Sequence, residues 1–504
     1  MMSKIIITLV ATAAACMNMM GQRVLNIDSC ETMALRNNKQ QQISQEEIKQ
    51  ADFEKKAARA KYFPDISIKA AYFRNQKDLS LISNDMYLPI GTVGESGFGF
   101  STPTMQSDGT IASSQLNNKW AMMNGQVVPL DANGQPFDPR TNPEKLMWKE
   151  YTTIPKDELE FDTKNLFVGV LNLTQPIFMG GKIVAYNKIC SLKKELAESK
   201  SNTNHDEIIA DVDEAYWRTV SLYNKRKAVE SLIGLLDTMA YNVSQMIAEG
   251  VATQKDALTV SVKRNEAKMT LVRIDNGISL YKMQLAQLCG MPIDEPYELA
   301  DKDLDYIPVT EVEQPNLDEV YQNRSELKSL DIARQIYEQK AKVVRAEMMP
   351  NLALTANYLA TNPNMYNGFA NKLGWQWNVG VVLNVPIFHF GERYYNYQAA
   401  KSEANVQLMK FEETQEKIGL QVNQYSYKQT EALKKLEVAE ENLKEAEENL
   451  RMADLSYKEG VVTTSDLLQA QTAWLGAKSD KIDAEIDAKI NGIMLNKSAG
   501  KLGK

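Results

Sequence analysis

Apolar residues fall into two long helical patterns and four short alternating ones. Leu436, Leu443, Leu450 and Tyr457 stand seven residues apart, and Ala439, Ala446 and Ala453 are offset from them by three. This alternation of large and small residues is the a/d seam of a heptad repeat, with Glu and Lys on its flanks. Between Gly391 and Gly460 only Gly419 would interrupt a helix. The spacing therefore predicts one rod of about 100 Å, too long to be buried in a single globular domain.

The same plan occurs earlier in the chain. Pro176-Ile177-Phe178 precedes Gly180-Gly181, and a helical run then leads to Glu249-Gly250-Val251, matching Pro386-Ile387-Phe388, Gly391 and Glu459-Gly460-Val461. The two copies keep a constant offset of 210 residues, and the seam survives as Ile233, Leu236, Ala240, Val243 and Ile247. A strand, a turn, a long helix and a second turn at one ungapped offset mark an internal duplication.

Upstream of each copy lies a shorter helix ending in a related motif, Ala58-Arg59-Ala60-Lys61-Tyr62-Phe63-Pro64 or Arg345-Ala346-Glu347-Met348-Met349-Pro350. The first is expected over Asn26–Ala60 with Asp28 as N-cap, the second from about Asn316; each stops because the residue before Pro leaves the helical region. Alternating strands follow. Ile66, Ile68, Ala70 and Tyr72 share one face, as do Leu352, Leu354, Ala356 and Tyr358; Ser67, Lys69, Thr355 and Asn357 lie opposite. A second strand per half sets Phe167, Leu171 and Leu173, or Trp377, Val379, Val381, Leu383 and Val385, on its apolar side. Segments of this length and pattern suit a membrane β-barrel, and equally one half-buried sheet of a soluble sandwich. The motif before Pro64 recurs at offset 286 instead of 210, which places an insertion at about 74–161, expected as a long loop.

After each distal turn the chain is helical again, from Lys255 to about Leu288 and from Ser465 to about Leu495. Each half thus reads as one long helix beside two short helices stacked end to end. The expected organisation is a signal segment at 1–21, a first structural repeat at 22–300 and a second at 301–504. Lys4 followed by the apolar run Ile5–Ala15 is the mark of an export signal, too short for a lasting membrane helix. Cys16 after Ala13-Ala14-Ala15 offers an alternative cleavage and lipidation point. Cys30, Cys190 and Cys289 lie at no metal-ligand spacing and are expected as small buried side chains.

A net charge of −8 without a basic patch disfavours a nucleic-acid partner. No arrangement suits catalysis, cofactor or metal: His205 and His389 are isolated, Gly94-Glu95-Ser96-Gly97-Phe98 misses the nucleophile elbow, and no phosphate loop occurs. Four strands cannot close a barrel, and open edges in hydrocarbon leave backbone groups unpaired. Several copies must therefore share one barrel.

The duplicated strand and long-helix plan resembles the TolC-like outer membrane efflux proteins. The resemblance is carried by Ala34-Leu35-Arg36-Asn37-Asn38, the two motifs ending at Pro64 and Pro350, Gln175-Pro176-Ile177-Phe178 with Val385-Pro386-Ile387-Phe388, and the two Glu-Gly-Val turns. It covers nearly all the chain outside the insertion. It implies a mainly α fold with a small membrane β part: a coiled-coil α-barrel, with four strands per protomer in a shared 12-stranded β-barrel. It further implies a homotrimer in the outer membrane, a helical tunnel in the periplasm, and as partners a periplasmic adaptor and an inner-membrane transporter. The implied function is a passive, non-enzymatic exit duct for small toxic compounds. A duct for protein secretion and a pore-less periplasmic scaffold are the alternatives.

In that family the distal turns close the periplasmic aperture and meet the adaptor. Asp256, Asp466 and Tyr457 match the family's aperture positions, and Gly250, Val251, Gly460 and Val461 its adaptor-contacting turns. Val462 stands where some relatives have a basic gate partner, and Gln469 at a second acidic position. A salt-bridged lock is therefore not expected. Each Asp also suits the first turn of the helix that follows, and Tyr457 also lies on the seam, so capping and packing account for the same residues.

Overall fold

The structure, a computed structural model, describes residues 23–90, 92–94, 97–99, 107, 116–309 and 313–502. The signal segment expected at 1–21, with Cys16 as the alternative cleavage point, lies outside the described residues. Two compact units interleave along the chain. One comprises the residues up to Tyr62, Phe178–Asn351 and the chain from Asn384 onward; the other comprises Phe63–Ile177 and Leu352–Leu383.

The first unit is helical. Its elements are α1 (Ile27–Asn37), α2 (Lys39–Ala60), α3 (Lys182–Ala248), α4 (Gln254–Leu288), α5 (Leu317–Asn323), α6 (Ser325–Ala346), α7 (Glu392–Lys458) and α8 (Thr464–Ser498). Three helix pairs are matched in length: α3 and α7 each span 67 residues, α4 and α8 each 35, and α2 and α6 each 22, whereas α1 has 11 and α5 has 7. α2 and α4 pack on α3, α6 and α8 pack on α7, and α3 also packs on α6 and α8. Lys225 on α3 reaches Asp483 on α8 at 2.6 Å, while Ser199 on α3 donates to the Ser325 carbonyl and accepts from Ser329 on α6, each at 2.9 Å. Along α7 the seam faces inward, with Leu443 and Tyr457 buried and much of the Glu- and Lys-rich remainder exposed. None of the described helices is long and apolar enough to cross a membrane.

Several local expectations are corrected. The first short helix is not continuous over Asn26–Ala60: Asn38 adopts an extended ψ of 134° and separates α1 from α2. Its side chain accepts from Gln40 N at 2.8 Å and donates to the carbonyl of Leu288 at 2.9 Å, so one residue starts α2 and caps the end of α4. The N-cap of α1 is Asn26, which accepts from Ser29 N; Asp28 occupies the first turn instead. Arg324 breaks the second copy at the equivalent place. It donates to the carbonyls of Lys497 and Ser498, capping α8, and its guanidinium is held by Glu326 at 2.8 Å. Residues 297–299, not expected to be a strand, form one (β12, Tyr297–Leu299) that pairs in parallel with β1 (Arg23–Leu25), and together they cover the largest core cluster.

The second unit is built on a four-stranded sheet of order β14-β13-β11-β2, from Asp65–Arg74 (β2), Asn165–Met179 (β11), Asn351–Asn362 (β13) and Gly374–Asn384 (β14). β2 and β11 are antiparallel, and the register sets Ile66 against Leu173, Ile68 against Leu171 and Tyr72 against Phe167. That apolar face is open to solvent, Ile68 being 77% exposed and Trp377 66%. On the other face Asn172 donates to Asn357 at 2.6 Å and Asn357 to Asn378 at 2.9 Å, an amide ladder across three strands, with Ser67 beside Asn172 on the fourth. β14 ends at Asn384, so Pro386-Ile387-Phe388 lies beyond the strand, whereas its counterpart Pro176-Ile177-Phe178 lies within β11.

The insertion is not a plain loop. Its described residues form short paired strands: β3 (Leu79–Ser80) with β10 (Glu160–Phe161), β4 (Met86–Pro89) with β9 (Tyr151–Ile154), β5 (Thr92–Gly94) with β6 (Gly97–Gly99), and β7 (Trp120–Met123) with β8 (Gln126–Pro129). Buried Asn118 ties the segment together, donating to the carbonyls of Leu130 and Lys145 and accepting from Met147 N. The turn at Asn124-Gly125, with both φ positive, supplies the hairpin geometry that patterning of long apolar runs overlooks.

Candidate functional site

The two distal turns are near-identical pieces of backbone chemistry. Gly250 and Gly460 adopt φ of +76° and +71°, which only glycine enters without strain. Gly250 N donates to Ile247 O and Val251 N to Met246 O; Gly460 N donates to Tyr457 O and Val461 N to Ser456 O. Each long helix therefore ends in a Schellman motif, which satisfies the carbonyls its last turn leaves free. Thr253 and Thr463 then start the next helices through complete capping boxes. Thr253 donates from its amide and hydroxyl to Asp256 Oδ2 at 3.0 and 2.6 Å, and Thr463 does the same to Asp466 Oδ2 at 2.9 and 2.7 Å.

These bonds decide what the aspartates are electrostatically. The threonine hydroxyl, and after it the threonine amide, holds each carboxyl below the ordinary carboxylate range, so both stay charged at neutral pH. Each donor pair uses a single oxygen, Oδ2, leaving Oδ1 outside the capping bonds. Capping thus fixes the side chain while the negative charge persists, and the two roles weighed from sequence do not compete.

The turns are brought together by their flanks. Val243, Val260, Tyr457, Leu467 and Leu468 are buried in one cluster, with Met246, Ala252 and Val462 packed against it. Tyr457 is buried and its hydroxyl donates to Met246 Sδ at 3.7 Å, so the aromatic ring joins the end of α7 to the end of α3. Gln469 is exposed, as are Val251 and Val461 at 70% and 76%. Met246 as the partner of Tyr457 was not found from sequence; the signal is that it stands at the same distance before Gly250 as Ser456 does before Gly460. The three described cysteines, Cys30, Cys190 and Cys289, are buried, as expected for small core side chains.

Residues 316–501 match the family model described as outer membrane efflux protein. No curated protein matches the sequence. Among solved structures the fold is similar to the outer membrane protein VceC of Vibrio cholerae, with 14% identity, a TM-score of 0.66, and 94% of this chain and 96% of that one covered. It is similar to the CmeC outer membrane channel of Campylobacter jejuni, with 14% identity, a TM-score of 0.66 and coverage of 94% and 85%. The open-state MtrE outer membrane channel of Neisseria gonorrhoeae gives 15%, 0.66, and 94% and 88%. The duplicated helices and the four-stranded sheet agree with these likenesses: residues 316–501 are similar to the outer membrane efflux protein family, and the fold of the chain is the TolC-like one.

Proposed function

We propose that this protein is the outer membrane channel of a tripartite efflux system, a passive duct through which small toxic compounds leave the cell. Two structural repeats, 22–300 and 301–504, form each protomer of a homotrimer. The strands lie in outer membrane lipid as a 12-stranded barrel and the helices form a tunnel in the periplasm. An inner-membrane transporter supplies the energy through a periplasmic adaptor.

The observation that carries this reading is the open sheet. β14 and β2 have no further strand partner among the described residues, one face is apolar and exposed, and the other is an amide ladder. In hydrocarbon such edges are tolerated only when strands of other copies close the ring. Lipid suits the apolar face and a water-filled lumen the ladder.

The aperture is assigned to Asp256 and Asp466, six carboxylates in a trimer, with Tyr457 holding the turns and Gln469 polar beside them. Gly250, Val251, Gly460 and Val461 form the adaptor-facing tips, where the two valines offer apolar contact. The test is reconstitution in planar bilayers beside gene deletion. Trimers in detergent, discrete conductance steps, and hypersensitivity to dyes, detergents, metals or antibiotics with an unchanged secretome are expected. A lost secreted protein with unchanged sensitivity would instead indicate a protein-secretion duct. A detergent-purified monomer without conductance rejects the channel.

A further inference from the structure

Two of the three described cysteines, 259 residues apart in sequence, meet in the first repeat. Cys30 on α1 and Cys289 at the end of α4 are both fully buried in the cluster under β1 and β12. Cys289 Sγ donates to the Cys30 carbonyl oxygen at 3.6 Å, which sets the two cysteines side by side in that cluster. Cys190 lies elsewhere, buried on α3 near Tyr186. In the second repeat the equivalent positions, by the offsets of 286 and 210, are Asn316 and Ala499. A pair of thiols thus converges only where β1 and β12 close over the core.

We propose that Cys30 and Cys289 are the site of a disulfide, formed during folding in the oxidising compartment, that clasps α1 to the end of α4. The oxidant is a thiol–disulfide oxidase carrying a reactive disulfide, and the proposal rests on the export reading above because such donors act outside the cytoplasm. The Cys289 thiolate attacks one donor sulfur, forming a mixed disulfide and releasing the other donor sulfur as thiolate. The Cys30 thiolate then attacks the Cys289 sulfur, closing the bond and releasing the donor as a dithiol. Two protein thiols are oxidised, one donor disulfide is reduced, and the two protein protons pass to the donor sulfurs. Both sulfurs are sealed in the folded protein, so the exchange precedes the docking of β12.

The test is acid-quenching of cells, fractionation, and alkylation of the denatured protein with and without prior reduction, read peptide by peptide. In protein from the outer membrane fraction, Cys190 should be alkylated directly, and Cys30 and Cys289 only after reduction, with a cross-linked peptide joining them. Direct alkylation of both in that fraction overturns the clasp and leaves the export reading standing. Protein found only in the cytoplasm removes the export reading and the clasp with it. Cys30→Ala and Cys289→Ala separate covalent linkage from packing. Reductant should lower the unfolding temperature of the parent protein and leave both variants unmoved; equal response of all three overturns the proposal.

Discussion

The two repeats share a backbone plan and differ in how each closes its middle. In the first, Asn38 caps α4 with a neutral amide, Asp213 is buried, and β1 and β12 roof a broad cluster around Tyr216, Leu285 and Tyr297. In the second, Arg324 caps α8 with a buried guanidinium, Asn423 stands where Asp213 would, and the core shrinks to Val320, Leu327, Ile418, Val422 and Ala499. Tyr216 donates to Asp301 at 2.6 Å, tying the chain that joins the repeats onto the first one. The first half thus rests on the larger apolar core and a neutral cap, the second on a smaller core and a charged cap.

The sharpest way to break that contrast is at the matched glycines. Gly290 and Gly500 both have positive φ, but a Cβ on Gly290 would sit 2.6 Å from Asn37 Cβ, against 3.2 Å from Asn323 Cβ for Gly500. Gly290→Ala combines left-handed strain with a clash and should cost about 3 kcal/mol, Gly500→Ala about 1–2 kcal/mol, compared by thermal unfolding. Equal losses would mean that the two middles are equally tight. Next come the caps. Arg324→Ala removes donors from two carbonyls and should destabilise by about 2–3 kcal/mol, Asn38→Ala by about 1 kcal/mol. Denaturant melts of the two variants in one detergent would order them.

A third test concerns the buried acid. Burial, and then a hydrogen bond with Glu31, pushes the Asp213 carboxyl up from 3.8 to about 8. The folded chain therefore binds this proton more tightly than the unfolded one. Its contribution is fully present below about pH 4 and is lost as pH rises toward 8. Asp213→Asn, which imports the second repeat's amide, should flatten the fall in stability across that window. An unaltered pH profile of the melting temperature would show Asp213 ionised throughout. The smallest effect lies at the tips, where the repeats agree. Asp256→Asn and Asp466→Asn weaken the capping boxes, whose contribution is present above the unfolded carboxyl pKa and lost as pH falls through the lowered folded value. Amide exchange at Thr253 and Thr463 should quicken in equal measure, without a change in global melting.

Most of the architecture was legible in the sequence because it rests on periodicity and repetition, which local patterning preserves. The long rods, the distal turns and the four main strands follow from heptads, Gly-Val turns and alternation. What escaped depends on contacts between residues far apart in sequence. Asn37-Asn38 reads as ordinary helix until Leu288 supplies a carbonyl to cap. Tyr297–Leu299 lacks the length of a strand and becomes one only against Arg23–Leu25. At the candidate site the sequence indicated Asp256 and Asp466 but not how their charge is held, since the threonine bonds need the turn geometry. Tyr457 was correctly placed on the seam, while its sulfur partner lies 211 positions away.

The identical 67-residue spans of α3 and α7 act as matched rulers. Removing one heptad from α3 alone would leave its end about 10 Å short of the other, so Tyr457 would lose Met246 and the paired tips would no longer be level. Length changes in this chain must come in twos, a constraint that any redesign of its reach has to respect.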